Sequence, residues 1–285
     1  MTNTIGEKMN LKNVIVWILL LGIIVLLMST SVQAKELTEV NAIDILKQIE
    51  NGENIYLENV RIKGELNLSK IVLETVPSAR SAGYIEDYGL EKELKIVESN
   101  IIIQDSFFEE DVDFSNTEFR KDIDFSRTTF LGEIDFKSAN FSRYADFGSA
   151  NFAGYANFRS ANFAGYADFR SADFAGYADF VSADFAGTAN FGSADFAGYA
   201  TFYSTEFNKV SFTWATFTNV SLVESDFNRM KVEWSSLRDT LDFDGPTYIK
   251  LIRKFREIEQ FEDADAAYYQ YRRLSQAKKS GLSQS

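Results

Sequence analysis

The stretch "ANFAGYADFRS" at residues 161–171 is followed at once by "ADFAGYADFVS" at residues 172–182. Nine such units of eleven residues run from Ser106 to Ser204, and seven units of five residues follow from Thr205 to Asp239. These units contain 25 central apolar positions, of which 22 are Phe. Repetition this strict predicts a solenoid, in which similar coils stack and bury their apolar side chains against their neighbours.

The spacing of the Phe residues favours strands over a helix. In a helix, Phe spacings of five and six would place two columns about 140° apart, so that no single buried stripe would form. In an extended chain, each Phe and the small residue two places before it point to one side, and the polar residue between them points to the other. The predicted core contains Phe147, Phe152, Phe158, Phe163, Phe169, Phe174, Phe180 and Phe185, together with Ala150, Ala156, Ala161 and Ala167.

These units resemble the pentapeptide-repeat family, whose pattern is a small residue, Asp or Asn, Leu or Phe, and two variable residues. The resemblance covers residues 106–239 and extends in degraded form over 56–105. It implies an all-β fold, a right-handed quadrilateral β-helix. The chain departs from the pattern by a sixth residue in alternate units, so two five-residue and two six-residue sides would give 22-residue coils. The last 35 residues of the repeats would return to 20-residue coils, and we expect about six coils in all.

The sixth residue is often a Tyr that follows a Gly, as in "FAGYA". We expect two external Tyr ladders on opposite corners, which either offer an adhesive surface to a partner or simply pack the corners. One ladder would contain Tyr155, Tyr177 and Tyr199, and the other Tyr144 and Tyr166.

The polar residues that precede the core Phe would form two outward-facing columns. One column contains Asp124, Asp146, Asp168 and Asn190, and the other contains Asp113, Asp135, Asn157 and Asp179. We favour solvated turn residues that bond the local backbone, with Arg159 and Arg170 nearby to soften the repulsion. Calcium binding is the alternative, because hard cations prefer clustered oxygen ligands. The glycine-rich Asp loop of calcium-binding repeats does not occur in the sequence, so we predict no metal site.

The N-terminal segment has the pattern of an export signal. Lys8 and Lys12 precede the apolar run Val14–Met28, and Val32 and Ala34 occupy the small-residue positions of a cleavage site. This pattern predicts a signal peptide at residues 1–34. The alternative is an uncleaved membrane anchor, a hydrophobic transmembrane helix across 13–34. Both interpretations make the remainder extracytoplasmic, either secreted or held in the cell envelope.

Residues 35–105 are expected to form an N-terminal cap and irregular first coils. The cap would contain a short helix over Ala42–Glu50, and residues 74–92 would form an excursion loop.

Residues 246–285 have the periodicity of a helix pair that caps the other end of the solenoid. We predict a break between the helices near Phe261–Asp263, with Asp263 as the cap of the second helix. The alternative role is a docking surface, and the resemblance to the C-terminal helices of envelope-associated family members implies a homodimer formed through these helices.

The composition of the chain disfavours several classes of function. The chain has 29 basic and 42 acidic residues, a net charge of −13, and neither His nor Cys. The negative charge disfavours nucleic-acid binding. No carboxylate differs from its repeated copies, so we predict no enzyme and no cofactor. We expect an exported or membrane-anchored scaffold that presents an acidic β-helical rod to a protein partner. The family resemblance implies an alternative, since some cytoplasmic members mimic duplex DNA in size and charge and bind DNA gyrase.

Overall fold

Short stacked strands form a β-solenoid of about nine turns, followed by C-terminal helices. The computed structural model describes residues 37–282. The predictions of a signal peptide at 1–34 and of an anchor across 13–34 fall outside these residues. Within 37–282, none of the helices has both the length and the apolar character needed to cross a bilayer.

The strands are numbered in chain order. They are β1 (Thr38–Asn41), β2 (Ile55–Glu58), β3 (Val60–Lys63), β4 (Leu66–Asn67), β5 (Thr75–Pro77), β6 (Glu93–Val97), β7 (Ile101–Gln104), β8 (Phe107–Phe108), β9 (Val112–Asp113), β10 (Thr117–Phe119), β11 (Ile123–Asp124), β12 (Thr129–Phe130), β13 (Ile134–Asp135), β14 (Asn140–Phe141), β15 (Ala145–Asp146), β16 (Asn151–Phe152), β17 (Ala156–Asn157), β18 (Asn162–Phe163), β19 (Ala167–Asp168), β20 (Asp173–Phe174), β21 (Ala178–Asp179), β22 (Asp184–Asn190), β23 (Asp195–Thr201), β24 (Glu206–Ser211), β25 (Thr216–Ser221) and β26 (Asp226–Lys231).

The helices lie at the two ends of the solenoid and in one excursion from it. They are α1 (Ala42–Glu50), α2 (Ala82–Tyr88), α3 (Trp234–Leu237), α4 (Gly245–Glu257) and α5 (Phe261–Leu282), with a short 3-10 turn at Leu68–Lys70.

The strands stack in four parallel columns, one for each side of the coil. One 13-stranded sheet contains two of these columns, which join where β23 runs around a corner, and a second 13-stranded sheet contains the other two. Within 106–239, one column consists of β8, β12, β16, β20, β23 and β25. These six strands correspond to six coils in the repeats, but β1 and β3 stack before β8 in the same column, and the solenoid has about nine turns. The prediction of about six coils in all was therefore too low, because the segment before residue 106 forms coils as well.

The coil length changes along the stack as the repeat spacing predicts. Phe141 is level with Phe163, an offset of 163 − 141 = 22 residues. Near the C-terminal end Phe207 is level with Phe227, an offset of 227 − 207 = 20 residues. The change occurs where β22 and β23 bulge against their shorter neighbours β24 and β25. The predicted change from 22-residue to 20-residue coils is confirmed.

Glycine permits the close contact between successive six-residue sides. A Cβ atom added to Gly187 would lie 1.9 Å from the carbonyl oxygen of Gly165 in the preceding coil. The same atom on Gly198 would lie 2.0 Å from the carbonyl oxygen of Gly176. The Gly of "FAGYA" is therefore required by the backbone of the adjacent coil, because no side chain fits between the two.

The core is a set of parallel Phe columns. The rings of Phe163 and Phe185 stack with centroids 4.6 Å apart and planes inclined by 2°. Rings of adjacent columns meet edge to face, as Phe158 and Phe169 do at 5.4 Å and 87°. Both are favourable aromatic geometries. The eight Phe and four Ala side chains predicted for the core are all buried.

The N-terminal end is covered by α1, which buries Ala42, Ile45, Leu46 and Ile49. The excursion at 74–92 is more ordered than the predicted loop. It contains β5, which pairs antiparallel with β6, and α2, whose N-cap Ser81 accepts a hydrogen bond from the backbone N–H of Tyr84. The prediction of a plain loop was wrong because the segment folds back and forms its own backbone hydrogen bonds.

The C-terminal end is covered by α3, α4 and α5, with Trp234 packed edge to face against Tyr248 at 5.6 Å. The break between the helices lies slightly before the predicted position near Phe261–Asp263, because α4 ends at Glu257 and Glu259 has a positive φ of 63°. Asp263 therefore lies in the first turn of α5 and is not its cap. Burial raises the pKa of its carboxyl, and the backbone N–H of Trp234 at the start of α3 acts to lower it.

Candidate interaction surfaces

The tyrosines stack along two corners of the solenoid. The rings of Tyr155 and Tyr177 are 5.4 Å apart, and those of Tyr177 and Tyr199 are 5.7 Å apart. On the other corner Tyr144 and Tyr166 stack at 5.6 Å. Tyr177 and Tyr199 keep 38% of their surface exposed, and the other three are half-buried. Each ladder is therefore an ordered aromatic surface with a spacing set by the coils.

The polar columns form Asx turns beneath these ladders. In each coil the side-chain oxygen of the column residue accepts a hydrogen bond from the backbone N–H two residues later. Examples are Asp135 to Lys137 at 2.7 Å and Asp179 to Val181 at 2.9 Å. The interpretation of these residues as turn residues that bond the local backbone is confirmed.

The prediction that these columns are solvated was wrong for the middle coils. Asp168 is fully buried, and Asp179 and Asn157 are nearly so. The Tyr of the six-residue side folds over the column and satisfies its outer oxygen. Tyr155 donates a hydrogen bond to Asp179 at 3.1 Å, and Tyr144 donates one to Asp146 at 2.8 Å.

Arginines compensate part of the buried negative charge. Arg170 pairs with Asp168 at 2.6 Å, and Arg159 lies 3.4 Å from Asp179. Burial raises the pKa of the Asp146 carboxyl, although the Gly148 N–H and Tyr144 hydroxyl act to lower it. Burial and the nearby carboxylates raise the pKa of Tyr144, Tyr155, Tyr177 and Tyr199 above the ordinary value, to about 12 for Tyr199. These four tyrosines therefore remain protonated well beyond neutral pH.

Neither a metal centre nor an acid–base pair is evident at these corners. Residues 37–282 contain no group of three or more acidic side chains arranged to hold a metal ion. The carboxylates of the two columns are instead engaged by backbone N–H groups, tyrosines and arginines.

Sequence reasoning missed a cleft beneath the excursion. Arg80 and Tyr84 of the excursion face Asn140, Asn162 and Asp184 of the solenoid across this cleft. The repeats on this corner have the same sequence as those on the opposite corner, so only the return path of residues 74–92 distinguishes them. The single available signal was the Arg and Tyr content of "SARSAGYIEDYG" at 78–89.

The outer surface of the C-terminal helices keeps several large apolar side chains exposed. Phe261 is 61% exposed and Tyr269 is 73% exposed, and Ile249, Ile258 and Tyr268 are exposed nearby in the chain.

Comparison with protein families agrees with this architecture. A family model described as pentapeptide repeats (9 copies) matches residues 114–161 and 158–206. No curated protein matches the sequence significantly. The matched segments contain the Phe columns, the Asx turns and both Tyr ladders, and the four-sided parallel stack is the fold that the resemblance implied. The fold is compatible with a non-catalytic protein-interaction module. Residues 114–206 of the chain are therefore a segment of pentapeptide repeats.

Proposed function

We propose that this protein is an exported or membrane-anchored, non-catalytic scaffold that holds a protein partner against its solenoid. The observation that carries the proposal is the ladder Tyr155, Tyr177 and Tyr199, which presents stacked and partly exposed aromatic rings at a fixed spacing. Tyr is enriched at protein interfaces, because it supplies a large contact area with few rotatable bonds. Export rests on the pattern of residues 1–34.

Rigidity supports a role in binding. The rings are held by hydrogen bonds at their hydroxyl groups, Tyr155 to Asp179 and Tyr199 to Asp242. A surface that is already ordered loses little conformational freedom when a partner binds. The ladder therefore has the properties of a preformed binding surface.

The burial of the acidic columns weakens the alternative of a DNA mimic that binds gyrase. A DNA mimic must present negative charges where duplex DNA presents its phosphates. Asp168 and Asp179 lie beneath the tyrosines and pair with Arg170 and Arg159, so they contribute little to the surface charge.

The first test is fractionation of the native, C-terminally tagged protein with N-terminal sequencing of the product. A chain that starts at Lys35 outside the cytoplasm supports export and cleavage, and an intact chain in the membrane supports the anchor. Recovery of the intact chain from the soluble cytoplasmic fraction would contradict the proposal and favour the gyrase-binding alternative.

The second test addresses the ladder itself. A photo-crosslinking residue is placed at Tyr177, and a matched control is placed at Tyr56, which is 66% exposed and outside the ladder. We expect a discrete crosslinked partner from position 177 that is lost when Tyr199→Ser is added. Equal crosslinking from both positions would show that the ladder is not the binding surface.

A homodimer formed through the C-terminal helices is a second candidate, favoured by the exposed apolar side chains of Phe261 and Tyr269. Sedimentation equilibrium of the protein is expected to give a dimer that Phe261→Ser converts to monomer. Tyr56→Ser, which removes an exposed aromatic elsewhere, should leave the dimer intact. A monomeric wild-type protein at micromolar concentration would refute this candidate.

A further inference from the structure

The excursion at 74–92 covers one corner of the solenoid and leaves the opposite corner open. On each corner, successive coils place a Ser with a positive φ ahead of the sequence Ala-Asn-Phe or Ala-Asp-Phe. The three Ser of the covered corner are buried, with at most 9% of their surface exposed, and the three of the open corner are exposed. The covered set is Ser138, Ser160 and Ser182, and the open set is Ser149, Ser171 and Ser193. The two corners are therefore built alike, and only one of them has a segment seated on it.

The seated segment docks through an Arg and two Tyr. Arg80 donates a hydrogen bond to the carbonyl oxygen of Ser160 at 2.8 Å, and the hydroxyl groups of Tyr84 and Ser160 lie 3.1 Å apart. The Arg80 guanidinium lies 4.7 Å from the centre of the Tyr84 ring, which stacks on Tyr88 with centroids 4.4 Å apart. The covered corner is thus occupied by a basic group and a pair of stacked aromatic rings.

A carboxylate of the covered corner also faces the Arg. Burial raises the pKa of the Asp184 carboxyl, and the Arg80 guanidinium acts to lower it. Arg80, Asp184 and Ser160 line the same cleft. The covered corner therefore receives an Arg with two kinds of acceptor, a Ser carbonyl oxygen and an acidic side chain of the adjacent coil.

The open corner has the same acceptors without an occupant. Ser171 and Asp195 lie eleven residues, half a coil, after Ser160 and Asp184. Within residues 37–282, no hydrogen bond is donated to the carbonyl oxygen of Ser171, the group that corresponds to the one bound by Arg80. The position of Arg80 on the covered corner is therefore vacant on the open one.

The open corner is also more acidic than the covered one. Asp173 stands where the covered corner has the neutral Asn162, and it is level with Asp195 of the next coil. In the part of the chain that the structure describes, the Asp173 carboxylate forms neither a hydrogen bond nor an ion pair, and Asp195 accepts a hydrogen bond from Thr216 alone. Two carboxylates one strand spacing apart, about 4.8 Å, are thus left without a cation.

An exposed Trp lies on the same open corner. Trp214 is one coil beyond Ser193, where the covered corner has Ser204, and 75% of its surface is exposed. On the covered corner, Tyr88 and Ser204 line one cleft. A Tyr seated on the open corner as Tyr88 is on the covered one would therefore lie close to the Trp214 indole. Trp is among the residues that contribute most to binding at protein interfaces.

We propose that the open corner binds a short basic and aromatic segment of the protein partner, seated as residues 80–88 are on the covered corner. An Arg of that segment donates to the Ser171 carbonyl oxygen and pairs with Asp195, and its aromatic residues pack towards Trp214. The inference rests on the proposed function. It extends the binding surface, because β23 connects Asp195 directly to Tyr199 of the ladder.

The probe is a synthetic peptide of residues 78–89 with capped ends, in which Glu86→Ala and Asp87→Ala leave one positive charge. Both replaced side chains are exposed in the excursion. The peptide is titrated into the full, isotope-labelled chain and followed by heteronuclear NMR. Because the excursion already occupies the covered corner, we expect saturable shifts around Ser171 and Trp214 with a millimolar Kd or tighter.

Charge variants test the assigned acceptors. Asp195→Asn should weaken the peptide about fivefold or more, because it removes a charge-assisted hydrogen bond. The control Asp226→Asn neutralises an exposed carboxylate in the column of Asp184 and should leave the Kd within about twofold. Ser171→Arg should abolish binding by filling the corner. The fold accepts Arg there, since Arg127 holds the same place two coils earlier with a φ of 57°.

The proposal is overturned if the peptide binds with a Kd above about 10 mM, or if an Arg80→Ala peptide binds equally well. Equal weakening by Asp195→Asn and Asp226→Asn would also overturn it. Crosslinking from Tyr177 separates this inference from the proposed function. A partner crosslinked there without any binding of the peptide would overturn the inference alone, whereas peptide binding without a crosslinked partner would count against the ladder and retain the open corner as a site.

Discussion

The Gly residues of the six-residue sides give a sharp test of the stacking geometry. An Ala side chain at Gly187 would place its Cβ atom 1.9 Å from the carbonyl oxygen of Gly165 and 2.5 Å from the carbonyl carbon, whereas real contacts of this kind lie beyond 3.0 Å. The two coils would have to separate locally by more than an ångström. Such overpacking typically costs about 1–3 kcal/mol.

The matched control is Gly192→Ala, at a position where preceding coils carry Ser126, Gly148 and Arg170. A Cβ atom there would lie 3.1 Å from the Asn190 side chain and 3.7 Å from the nearest backbone oxygen. Because Ala restricts the unfolded chain, this variant is expected to gain up to about 1 kcal/mol. The same substitution is thus expected to have opposite signs at the two positions.

Equilibrium unfolding in guanidinium chloride, followed by far-UV circular dichroism, measures both variants. We expect Gly187→Ala to lower the free energy of unfolding by about 1–3 kcal/mol. If Gly187→Ala is as stable as Gly192→Ala, the coils do not approach each other as closely as the structure places them. The close approach would then not explain why the six-residue sides repeat the pair Ala-Gly.

The remaining predictions concern the core and the titrating groups. The Phe169 ring stacks between two neighbouring rings at 5.0 and 4.8 Å, so Phe169→Ala should lower the free energy of unfolding by about 3–5 kcal/mol in the same assay. Leu131→Ala, at a side chain that is 53% exposed, should lower it by less than about 0.5 kcal/mol. Similar losses for both variants would contradict the assigned core. Tyr199 has a folded pKa of about 12, raised mainly by burial above its ordinary value of 10.0. Its stabilising contribution is therefore complete below about pH 10 and is lost as the pH rises through 12. Phenolate absorbance and unfolding midpoints in alkali measure this, and a Tyr199→Phe variant with an unchanged alkaline profile would refute it. Asp146 also has a raised folded pKa, so its contribution is present below 3.8 and is lost as the pH rises through the folded value. Asp146→Asn should therefore raise the unfolding midpoint at neutral pH and leave it unchanged near the unfolded pKa of 3.8 or below. A lower midpoint at neutral pH would show that the folded protein favours the ionised form of Asp146.

The predictable part of the fold follows from the strict alternation of small, polar and aromatic residues. Because side chains on a strand alternate, the pair Ala167 and Phe169 had to share one side of the chain and Asp168 the other. The helix Ala42–Glu50 was likewise predictable, because its apolar residues recur at helical spacing before Asn51-Gly52. In contrast, the full burial of Asp168 was not predictable, because an outward-facing position in an alternating pattern is expected to meet solvent.

The candidate surfaces likewise have features that the sequence predicts and features that it does not. The Tyr ladders were predictable from the eleven-residue period, since residues 22 apart must lie above one another in a 22-residue coil. Their hydrogen bonds were not, because Tyr155 reaches Asp179 of the next coil and not its neighbour Asn157. Local spacing places a side chain on a column, but it does not determine which oxygen on the adjacent coils that side chain contacts.

The sequence by itself determined the repeating unit, the inward and outward faces of each side, and the change in coil length after residue 204, because these depend only on chain periodicity. The tertiary structure alone decided which of two identical corners is covered. Ser138 and Ser149 have the same neighbours in sequence, and only the folding back of residues 74–92 buries one and leaves the other in solvent. A periodic sequence cannot encode that difference locally, because the contacts that create it join residues about 80 positions apart, as in the bond from Arg80 to Ser160.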